Sequence, residues 1–229
     1  DTANPHDPDR DRFVMSKGHC TPALYAVLAL RGFFPVEELE LFRSIKGHMS
    51  GHPDMVHVPG VDMSTGSLGQ GLACAGGMAL AGKLDGRDYR VYALMGDGEI
   101  EEGEIWEAAM AIHKYKLDNL CGIVDVNGLQ IDGATADVMP SEPLDAKFAA
   151  FGWHVIKADG HDFDSLRAAL AEARETKGKP SVILMRTVKG RGVSFMENNA
   201  GWHGKAPNAE QYEQAHAELS AAIEKLEVE

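Results

Sequence analysis

YRVYALMGDG, residues 89–98, is an apolar run that ends in a Gly-Asp-Gly corner. The run from Tyr89 to Met95 has the near-continuous apolar character of a strand that is covered on both faces of a sheet. A second run of this kind, NLCGIVDVNG at 119–128, ends in Asn-Gly. An acidic amphipathic helix is predicted between them, from about 102 to 116. Strand, helix and strand in this order indicate a parallel pair with a right-handed crossover.

The same alternation continues on both sides of this unit. Further strands are predicted at 153–159 and 181–188, and helices over 21–32, 36–44, 68–84, near 142–151, 164–178 and 208–227. Thr21 is expected to cap the first helix, and Gly32 to stop it. The glycines in 68–84 suggest close packing against a neighbouring element. Since residues 45–67 are rich in Gly, Pro and His without a period, we expect a functional loop there.

These elements predict an α/β fold with a mostly parallel sheet flanked by helices on both faces. We predict one domain over residues 1–229, because the sequence contains no internal repeat, linker or low-complexity tract. The opening residues DTANPHDPDRDR do not resemble a natural start, so we expect that a natural N-terminal segment precedes them. The apolar positions of the last helix, from Tyr212 to Leu226, are expected to cover the domain's own surface.

The composition limits the kinds of partner. With 22 basic and 35 acidic residues the formal net charge is −13, which disfavours binding to nucleic acid or to an anionic membrane surface. An anionic ligand would therefore need locally placed backbone N–H groups or a metal ion. The three cysteines have no paired spacing and are interpreted as reduced thiols of a cytoplasmic protein. The sequence has no apolar stretch of about 18 or more residues.

Asp97 and Asn127 each follow a predicted strand, and they are one helix and one strand apart. Because neighbouring parallel strands end at the same edge of a sheet, the two side chains are expected to lie close together. A carboxylate and an amide oxygen suit Mg2+, which usually also binds a phosphate of its ligand. Gly96 and Gly98 would let the backbone approach that phosphate. The alternative interpretation is a pair of tight turns with no ligand.

Three histidines, His19, His52 and His203, each lie in a glycine-bearing loop. An imidazole can move protons near neutral pH, although each histidine taken singly is typical of a surface or capping position. A zinc site of His48, His52 and His57 is a further alternative, but Gly51 and Pro53 argue against the helix that this spacing needs. The remaining histidines are interpreted as structural or solvated: His6, His113, His154, His161 and His216.

The Gly-Asp-Gly corner, 28 further residues and then Asn resemble the thiamine diphosphate motif. The whole run GDGEIEEGEIWEAAMAIHKYKLDNLCGIVDVNGLQIDG resembles the transketolase family, and in particular the amino-terminal subunit of split transketolases. The same family is indicated by SKGHCTPALYAVLALRG, SGHPD, STGSLGQGL and KGRGVSFMENNAGWHGKAP. The resemblance covers nearly the whole chain and implies a thiamine-diphosphate-binding fold.

The resemblance implies a role for particular residues at the metal and diphosphate end of the cofactor. Asp97, the Asn127 side chain and the main-chain oxygen of Leu129 would coordinate Mg2+, with Ca2+ or Mn2+ as substitutes. The Gly98 amide would contact the diphosphate beside Gly96. Ile131 would pack on the thiazolium ring.

Other residues are implied to contact the remaining parts of the cofactor and the substrate. Gly66 and Leu68 would contact the aminopyrimidine. His52 would hold the two-carbon unit of the donor, while His19 and His203 would line the cofactor and substrate channel. Glu102 would match a buried acid that links the paired cofactor sites across a dimer; without the resemblance, Glu102 is typical of a helix start.

The resemblance also implies that this chain does not act alone. The glutamate that activates the cofactor, and the arginines that bind the substrate phosphate, would belong to a pyrimidine-binding partner subunit in an α2β2 assembly. The implied reaction moves a two-carbon ketol unit from a ketose to an aldose, with sugar phosphates of the pentose phosphate pathway as expected substrates. Alternatives are a subunit of a 2-oxoacid dehydrogenase or of a deoxyxylulose-phosphate synthase, and a non-catalytic subunit that holds the cofactor.

Overall fold

The computed structural model describes residues 2–5 and 7–228, so the prediction for His6 lies outside the described residues. Strands and α-helices follow one another in the order β1 Arg12–Met15, α1 Thr21–Leu30, α2 Gln70–Leu84, β2 Val91–Gly96, α3 Gly103–Lys114, β3 Leu120–Val126, β4 Leu129–Gln130, β5 Gly133–Ala134, α4 Thr135–Val138, α5 Leu144–Ala150, β6 His154–Asp159, α6 Phe163–Glu175, β7 Ser181–Arg186 and α7 Ala209–Val228. Short 3-10 helices lie at Gly18–Cys20, Val36–Leu41, Glu99–Glu101 and Ala200–Trp202.

The main sheet has five parallel strands in the order β1-β2-β3-β7-β6. This confirms the predicted mostly parallel α/β sheet. Gly96 at the end of β2 pairs with Asp125 in β3, and Val126 pairs with Arg186 at the end of β7. The segments that follow these three strands therefore leave the sheet side by side at one edge, where ligands bind in folds of this kind.

Helices cover both faces of the sheet, as predicted. Val182 and Leu184 of β7 pack into the large core that α2, α3 and α5 form on one face. Ile183 between them faces a second core formed with α6, because successive strand residues point to opposite faces. A third cluster joins α1 to the loop that follows it, around Tyr25.

The glycines of α2 allow the close packing that the sequence predicts. A Cβ atom on Gly76 would lie 2.9 Å from Cγ1 of Ile112 in α3, and one on Gly82 would lie 2.9 Å from the Tyr89 ring. A larger residue at either position would force the helix away from its neighbours.

Four details differ from the sequence-based expectations. Thr21 does not cap α1: Cys20 is the N-cap, and the Thr21 hydroxyl donates to the Gly51 carbonyl. The helix predicted over 36–44 is a 3-10 helix, Val36–Leu41. The sequence gives no expectation of β1, which is only four residues long and forms an edge of the sheet. The β4–β5 hairpin after Asn127 is also unpredicted.

Helix α7 contradicts the expectation that its apolar residues cover the domain's own surface. The large apolar side chains of this stripe are between 43% and 74% exposed: Tyr212, Leu219, Ile223 and Leu226. The Glu218 carboxylate on this helix accepts hydrogen bonds from the N–H (2.7 Å) and hydroxyl (2.6 Å) of Ser194. Polar contacts to the loop after β7 thus take part in holding α7.

Two predictions about cysteines and membranes can be compared with the fold. Cys20, Cys74 and Cys121 are free thiols, as predicted. Across residues 2–5 and 7–228, no helix has both the length and the apolar character needed to cross a membrane.

Phe148 tests the main core, because its side chain is fully buried between Trp106 and Trp153. We expect Phe148→Ala to lower the free energy of unfolding by about 3–5 kcal/mol, through lost burial and the cavity left behind. Urea unfolding followed by circular dichroism measures this change. Phe163→Ala is the matched control, since Phe163 is 77% exposed and its loss should cost less than about 0.5 kcal/mol. Equal losses for the two variants would contradict the described core.

Candidate active site

Asp97 lies directly against the turn that carries Asn127. Its side chain is buried, at 2% exposure. One carboxylate oxygen, Oδ1, accepts the Gly98 N–H at 3.0 Å, and the other, Oδ2, accepts the Gly128 N–H at 2.6 Å. The structure thus brings together the two strand-end turns that the sequence spacing places at one edge.

Burial raises the pKa of Asp97, and the nearby Asp125 raises it further, while the N–H groups of Gly128, Gly98 and Asn127 oppose the change. In the described part of the chain no lysine, arginine or histidine forms an ion pair with this carboxylate. A buried carboxylate held by N–H groups alone keeps much of its negative charge uncompensated, and this suits a cation.

The donor set at the corner fits a hard cation that shares its coordination with a ligand. The Asn127 amide oxygen accepts the Leu129 N–H at 3.1 Å and keeps a second lone pair. Among residues 2–5 and 7–228, no group of three or more His, Cys, Asp or Glu side chains is placed to hold a metal ion. One carboxylate with neutral oxygens is the set that Mg2+ uses when phosphate and water complete its shell.

Lys17 forms the cationic side of the same pocket. Its ammonium group pairs with the Asp125 carboxylate, which also accepts the Thr187 hydroxyl. Burial lowers the pKa of Lys17, but Asp125 outweighs this effect and the net change is upward. For Asp125 the burial effect is likewise outweighed by Lys17, so its pKa falls. Both groups are therefore charged at neutral pH.

Glu99 is a second buried acid at this edge, at 3% exposure. Its carboxylate accepts hydrogen bonds from the Ser16 hydroxyl, from the Gly69 N–H (3.0 Å) and from the Gly96 N–H (3.1 Å). Burial raises the pKa of Glu99, and these donors oppose the rise. The carboxylate connects β1, the loop before α2 and the end of β2.

The loop before α2 forms another wall of the pocket through Leu68. Gly66 has a φ of +143° and lies so close to Gly18 that a Cβ on Gly18 would be 2.7 Å from its nitrogen. The His52 ring packs on Gly66, where a Cβ atom would approach His52 Cδ2 to 2.8 Å. His52 therefore reaches the site from the long loop that follows α1.

His19 and His203 face each other across the pocket, with ring centroids 5.1 Å apart. Partial burial of the ring lowers the pKa of His19 to about 4, and the charges of His203, Lys17 and Lys189 add to this effect. Burial also lowers the pKa of His203, with Lys189 and Lys17 contributing. Both imidazoles are neutral at pH 7 and can accept a proton.

These elements enclose a cavity of about 320 Å3, lined by side chains and backbone of Lys17, His19, Cys20, Leu68, Gly96, Asp97, Gly98, Glu99, Glu101, Glu102, Asn127, Leu129, Gln130, Ile131, Lys189 and His203. Three of its lining atoms are buried polar atoms without a hydrogen-bond partner: Oε1 of Glu101, Oε1 of Gln130 and Nδ1 of His203. Such atoms are costly in a folded protein unless a ligand or partner satisfies them.

Two of the expected site residues lie at the rim. Ile131 is 67% exposed on the β4–β5 hairpin. Glu102 is the N-cap of α3, which agrees with the helix start predicted from its surroundings. The side chain of Glu102 is exposed in the single chain, so the burial that the resemblance implies is not present in one chain alone.

Sequence reasoning did not single out several residues that line or support the pocket: Lys17, Glu99, Glu101, Asp125, Gln130, Thr187 and Lys189. Lys17 precedes the GHC segment, Glu99 follows the Gly-Asp-Gly corner, and Asp125 stands two residues before Asn127. Their nearness to the motifs was a usable signal. Their partners lie far away along the chain and gave none.

The other described histidines have partners away from this pocket. His57 contacts Asp54 at 2.7 Å, His48 contacts Glu38 at 3.3 Å, and His154 contacts Glu172 at 2.7 Å. His161 accepts the Val188 N–H, His113 packs against Gly152, and His216 stacks beside Tyr212. The zinc alternative loses His48 and His57 to these separate acidic partners.

The family model described as the thiamine diphosphate binding domain of transketolase matches residues 1–228. One of the named subunits of the apulose-4-phosphate transketolase of Phocaeicola vulgatus is 48% identical over 225 residues, which cover 98% of this chain and 80% of that protein. The 6-deoxy-6-sulfo-D-fructose transketolase subunit SqwG of a Clostridium species is 48% identical over 219 residues, which cover 96% and 80%.

Solved structures give the same result at the level of the fold. The transketolase of Campylobacter jejuni superimposes with a TM-score of 0.85 at 34% identity. The match covers 93% of this chain but 35% of that one. The chain therefore corresponds to about a third of that transketolase and to most of the Phocaeicola vulgatus protein.

Lys189 tests the electrostatics of the histidine pair. Removing its charge should stabilise the imidazolium forms, so Lys189→Met should raise the pKa of both His19 and His203. Histidine ring signals followed by NMR between pH 3 and 8 report both values, and the native His19 should titrate near the value of about 4. Lys179→Met, at an exposed lysine, is the control and should leave both unchanged. A native His19 that titrates at its ordinary value of about 6.5 would contradict the described pocket.

Proposed function

Because the chain belongs to the transketolase family, through its thiamine diphosphate binding domain over residues 1–228, we propose that it is the diphosphate-binding subunit of a two-chain transketolase. The proposed reaction transfers a two-carbon ketol unit from a ketose to an aldose. The observation that carries this proposal is the pairing of the buried Asp97 carboxylate with the Asn127-Gly128 turn at the mouth of the pocket. Two relatives of 48% identity are named as transketolase subunits, and this supports the two-chain form.

We propose that Mg2+ binds at the corner between β2 and β3. Its protein ligands would be the Asp97 carboxylate, the Asn127 amide oxygen and the main-chain oxygen of Leu129, with Ca2+ or Mn2+ as substitutes. The Gly98 N–H now donates to Asp97, and it would turn to the diphosphate once the ion takes this carboxylate. The positive charges of Lys17 and Lys189 support an anion at this place.

When bound, thiamine diphosphate supplies the carbanion that breaks a carbon–carbon bond beside a ketone. The exposed Ile131 would give its thiazolium ring an apolar contact, and Gly66 and Leu68 would contact the aminopyrimidine. In this proposal His19 and His203 exchange protons with sugar hydroxyls, which their neutral state at pH 7 permits. His52 holds the donor from the loop beside Gly66.

We propose that the partner is a pyrimidine-binding subunit in an α2β2 assembly. Support comes from the pocket itself, where the atoms of Glu101 and Gln130 without partners and the exposed Glu102 and Ile131 lie together at one opening. A second chain that closes this opening would satisfy the polar atoms and cover the apolar residue. Glu102 would then contact the equivalent site across the assembly.

The substrates proposed are sugars with a terminal anionic group. One relative is named for apulose-4-phosphate and another for 6-deoxy-6-sulfo-D-fructose, and both names describe a sugar that carries an anion. We therefore propose a sugar phosphate or sulfonate as the donor or acceptor. A place in the pentose phosphate pathway, a cytoplasmic location, and one domain that continues from a further N-terminal segment are retained as proposals.

Mixing this chain with its pyrimidine-binding subunit tests the two-chain proposal. With thiamine diphosphate, Mg2+, a ketose phosphate and an aldose phosphate, we expect turnover in the mixture and none with either chain alone. His52→Ala should reduce kcat/KM by about 100-fold or more, since it removes a group placed to hold the donor. His57→Ala is the matched control, because this histidine of the same loop is exposed and pairs with Asp54.

Turnover by this chain alone would contradict the divided site. Cofactor binding without turnover in every combination would instead favour a non-catalytic subunit. Activity with pyruvate but not with a ketose phosphate would favour the 2-oxoacid dehydrogenase or deoxyxylulose-phosphate synthase alternatives.

Asp97→Asn tests the metal corner separately from turnover. The amide has the same shape but lacks the anionic ligand, so the affinity for thiamine diphosphate in Mg2+ should fall at least about 100-fold. Calorimetric titration measures this, and the rise in Tm on adding cofactor and Mg2+ should disappear. Asp164→Asn, at an exposed acid paired with Arg167, should behave like the native chain. Unchanged affinity in Asp97→Asn would exclude the proposed ion site.

A further inference from the structure

The Glu99 carboxylate joins three segments that do not otherwise need an acid between them. Ser16 lies at the end of β1, Gly69 at the start of α2, and Gly96 at the end of β2. All three donors are buried or partly buried, and so is the carboxylate. The contacts with Ser16 and Gly69 bridge 83 and 30 positions of sequence.

Glu99 satisfies its charge with neutral donors alone. In the described part of the chain it forms no ion pair, and the nearest ammonium group, that of Lys17, is paired with Asp125. Burying a carboxylate without a cationic partner costs free energy, which an apolar residue of similar size would avoid. Filling the core therefore gives no reason for an acid here, whereas holding three donors at fixed positions does.

The segments that Glu99 joins are those assigned to opposite ends of the cofactor. Gly96 belongs to the corner that carries Asp97 and Gly98, and Gly69 directly follows Leu68 in the loop proposed to contact the aminopyrimidine. The packing around them is tight. A Cβ on Gly71 would lie 2.3 Å from the Ser16 hydroxyl oxygen, and one on Gly69 would lie 3.0 Å from Cβ of Glu102.

We propose that Glu99 is a positioning residue which fixes the distance between the metal corner at Gly96–Gly98 and the loop Gly66–Gly69 before the cofactor binds. This inference rests on the proposed function, since it takes the cofactor to span these two segments. Glu99 touches neither the ion nor the cofactor in this arrangement. It acts by holding two backbone N–H groups on one carboxylate, so that binding does not have to order them.

Glu99→Gln is the direct test, because it keeps the size of the side chain but replaces one acceptor oxygen with a donor. We expect the dissociation constant for thiamine diphosphate, titrated with Mg2+ into the chain with its partner subunit, to rise about tenfold. The KM for the cofactor should rise by a similar factor, while kcat at saturating cofactor stays within about threefold of native. A positioning role predicts this split because the lost order is restored when the cofactor is bound.

Two further variants separate positioning from simple stability. Ser16→Ala removes the third donor, and its effect on cofactor affinity should not add to that of Glu99→Gln, because both act through one carboxylate. Asp118→Asn is the matched control: Asp118 accepts the Gly178 N–H at 2.7 Å and pairs with Lys83 at the opposite end of the sheet. It should lower the Tm of the cofactor-free chain at least as much as Glu99→Gln without weakening cofactor binding.

The outcomes decide between the two proposals. If the native protein binds the cofactor and Glu99→Gln binds it within twofold of native, Glu99 has no positioning role and the proposed function stands. The same holds if Asp118→Asn weakens binding as much as Glu99→Gln does. If the native protein with its partner does not bind thiamine diphosphate and Mg2+, the proposed function is wrong and this inference is wrong with it.

Discussion

A buried carboxylate that accepts only backbone N–H groups is the constraint on which this site depends. Asp97 lies between the turns after β2 and β3, and each of its oxygens takes one N–H from a different turn. This arrangement needs two parallel strands side by side with their ends in register, as Gly96 and Asp125 are. The sheet therefore does more than support the site, because its strand order creates the place where one acid meets two turns.

The glycines at this edge follow from the same constraint. Gly128 has a φ of +75°, which lets its N–H turn toward Asp97 at little conformational cost. A Cβ atom on Gly96 would meet nothing closer than the Lys17 chain at 3.7 Å, so the backbone there faces open space. Exposed backbone beside a buried acid allows an ion and an anion to approach together.

The local charges differ from the charge of the chain as a whole. With a net charge of −13 the protein repels anions at long range, yet Lys17 and Lys189 line the pocket. Asp125 fixes the position of Lys17 and raises its pKa, so this ammonium group keeps its proton. The same positive charges lower the pKa of His19 and His203. One cluster thus keeps its lysines charged and its histidines neutral, and this combination suits both anion binding and proton acceptance.

Most of the fold could be predicted because its signals are local. The alternation of apolar strands and amphipathic helices gave the parallel sheet, and the spacing of Asp97 and Asn127 gave their meeting at one edge. Strand β1 gave little signal, because four residues at a sheet edge show no clear period and Phe13 is partly exposed. The exposure of the α7 stripe was also beyond prediction, since an apolar helix face has the same pattern whether its own domain or another chain covers it.

The supporting contacts of the site could not be predicted for a different reason. Lys17 and Asp125 are 108 positions apart, and Ser16 and Glu99 are 83 apart. Neither pair has a spacing that a helix or a strand would impose, so only the assembled sheet shows that they meet. Sequence motifs identify groups that could contact a ligand, whereas the groups that hold those residues in place become visible through tertiary structure.

The polar atoms without partners show how the folded chain is left incomplete. Glu101, Gln130 and His203 each place one such atom in the same pocket, although a folded protein usually satisfies its buried polar groups. Elsewhere in this pocket the acids are fully supplied: Asp97 and Glu99 use backbone N–H groups, and Asp125 uses Lys17 and Thr187. The chain thus satisfies the groups that shape the corner and leaves unsatisfied those nearer to Glu102 and Ile131, where it opens to solvent. Unmet hydrogen-bonding capacity gathered at one opening marks the side from which the missing part of the site must come.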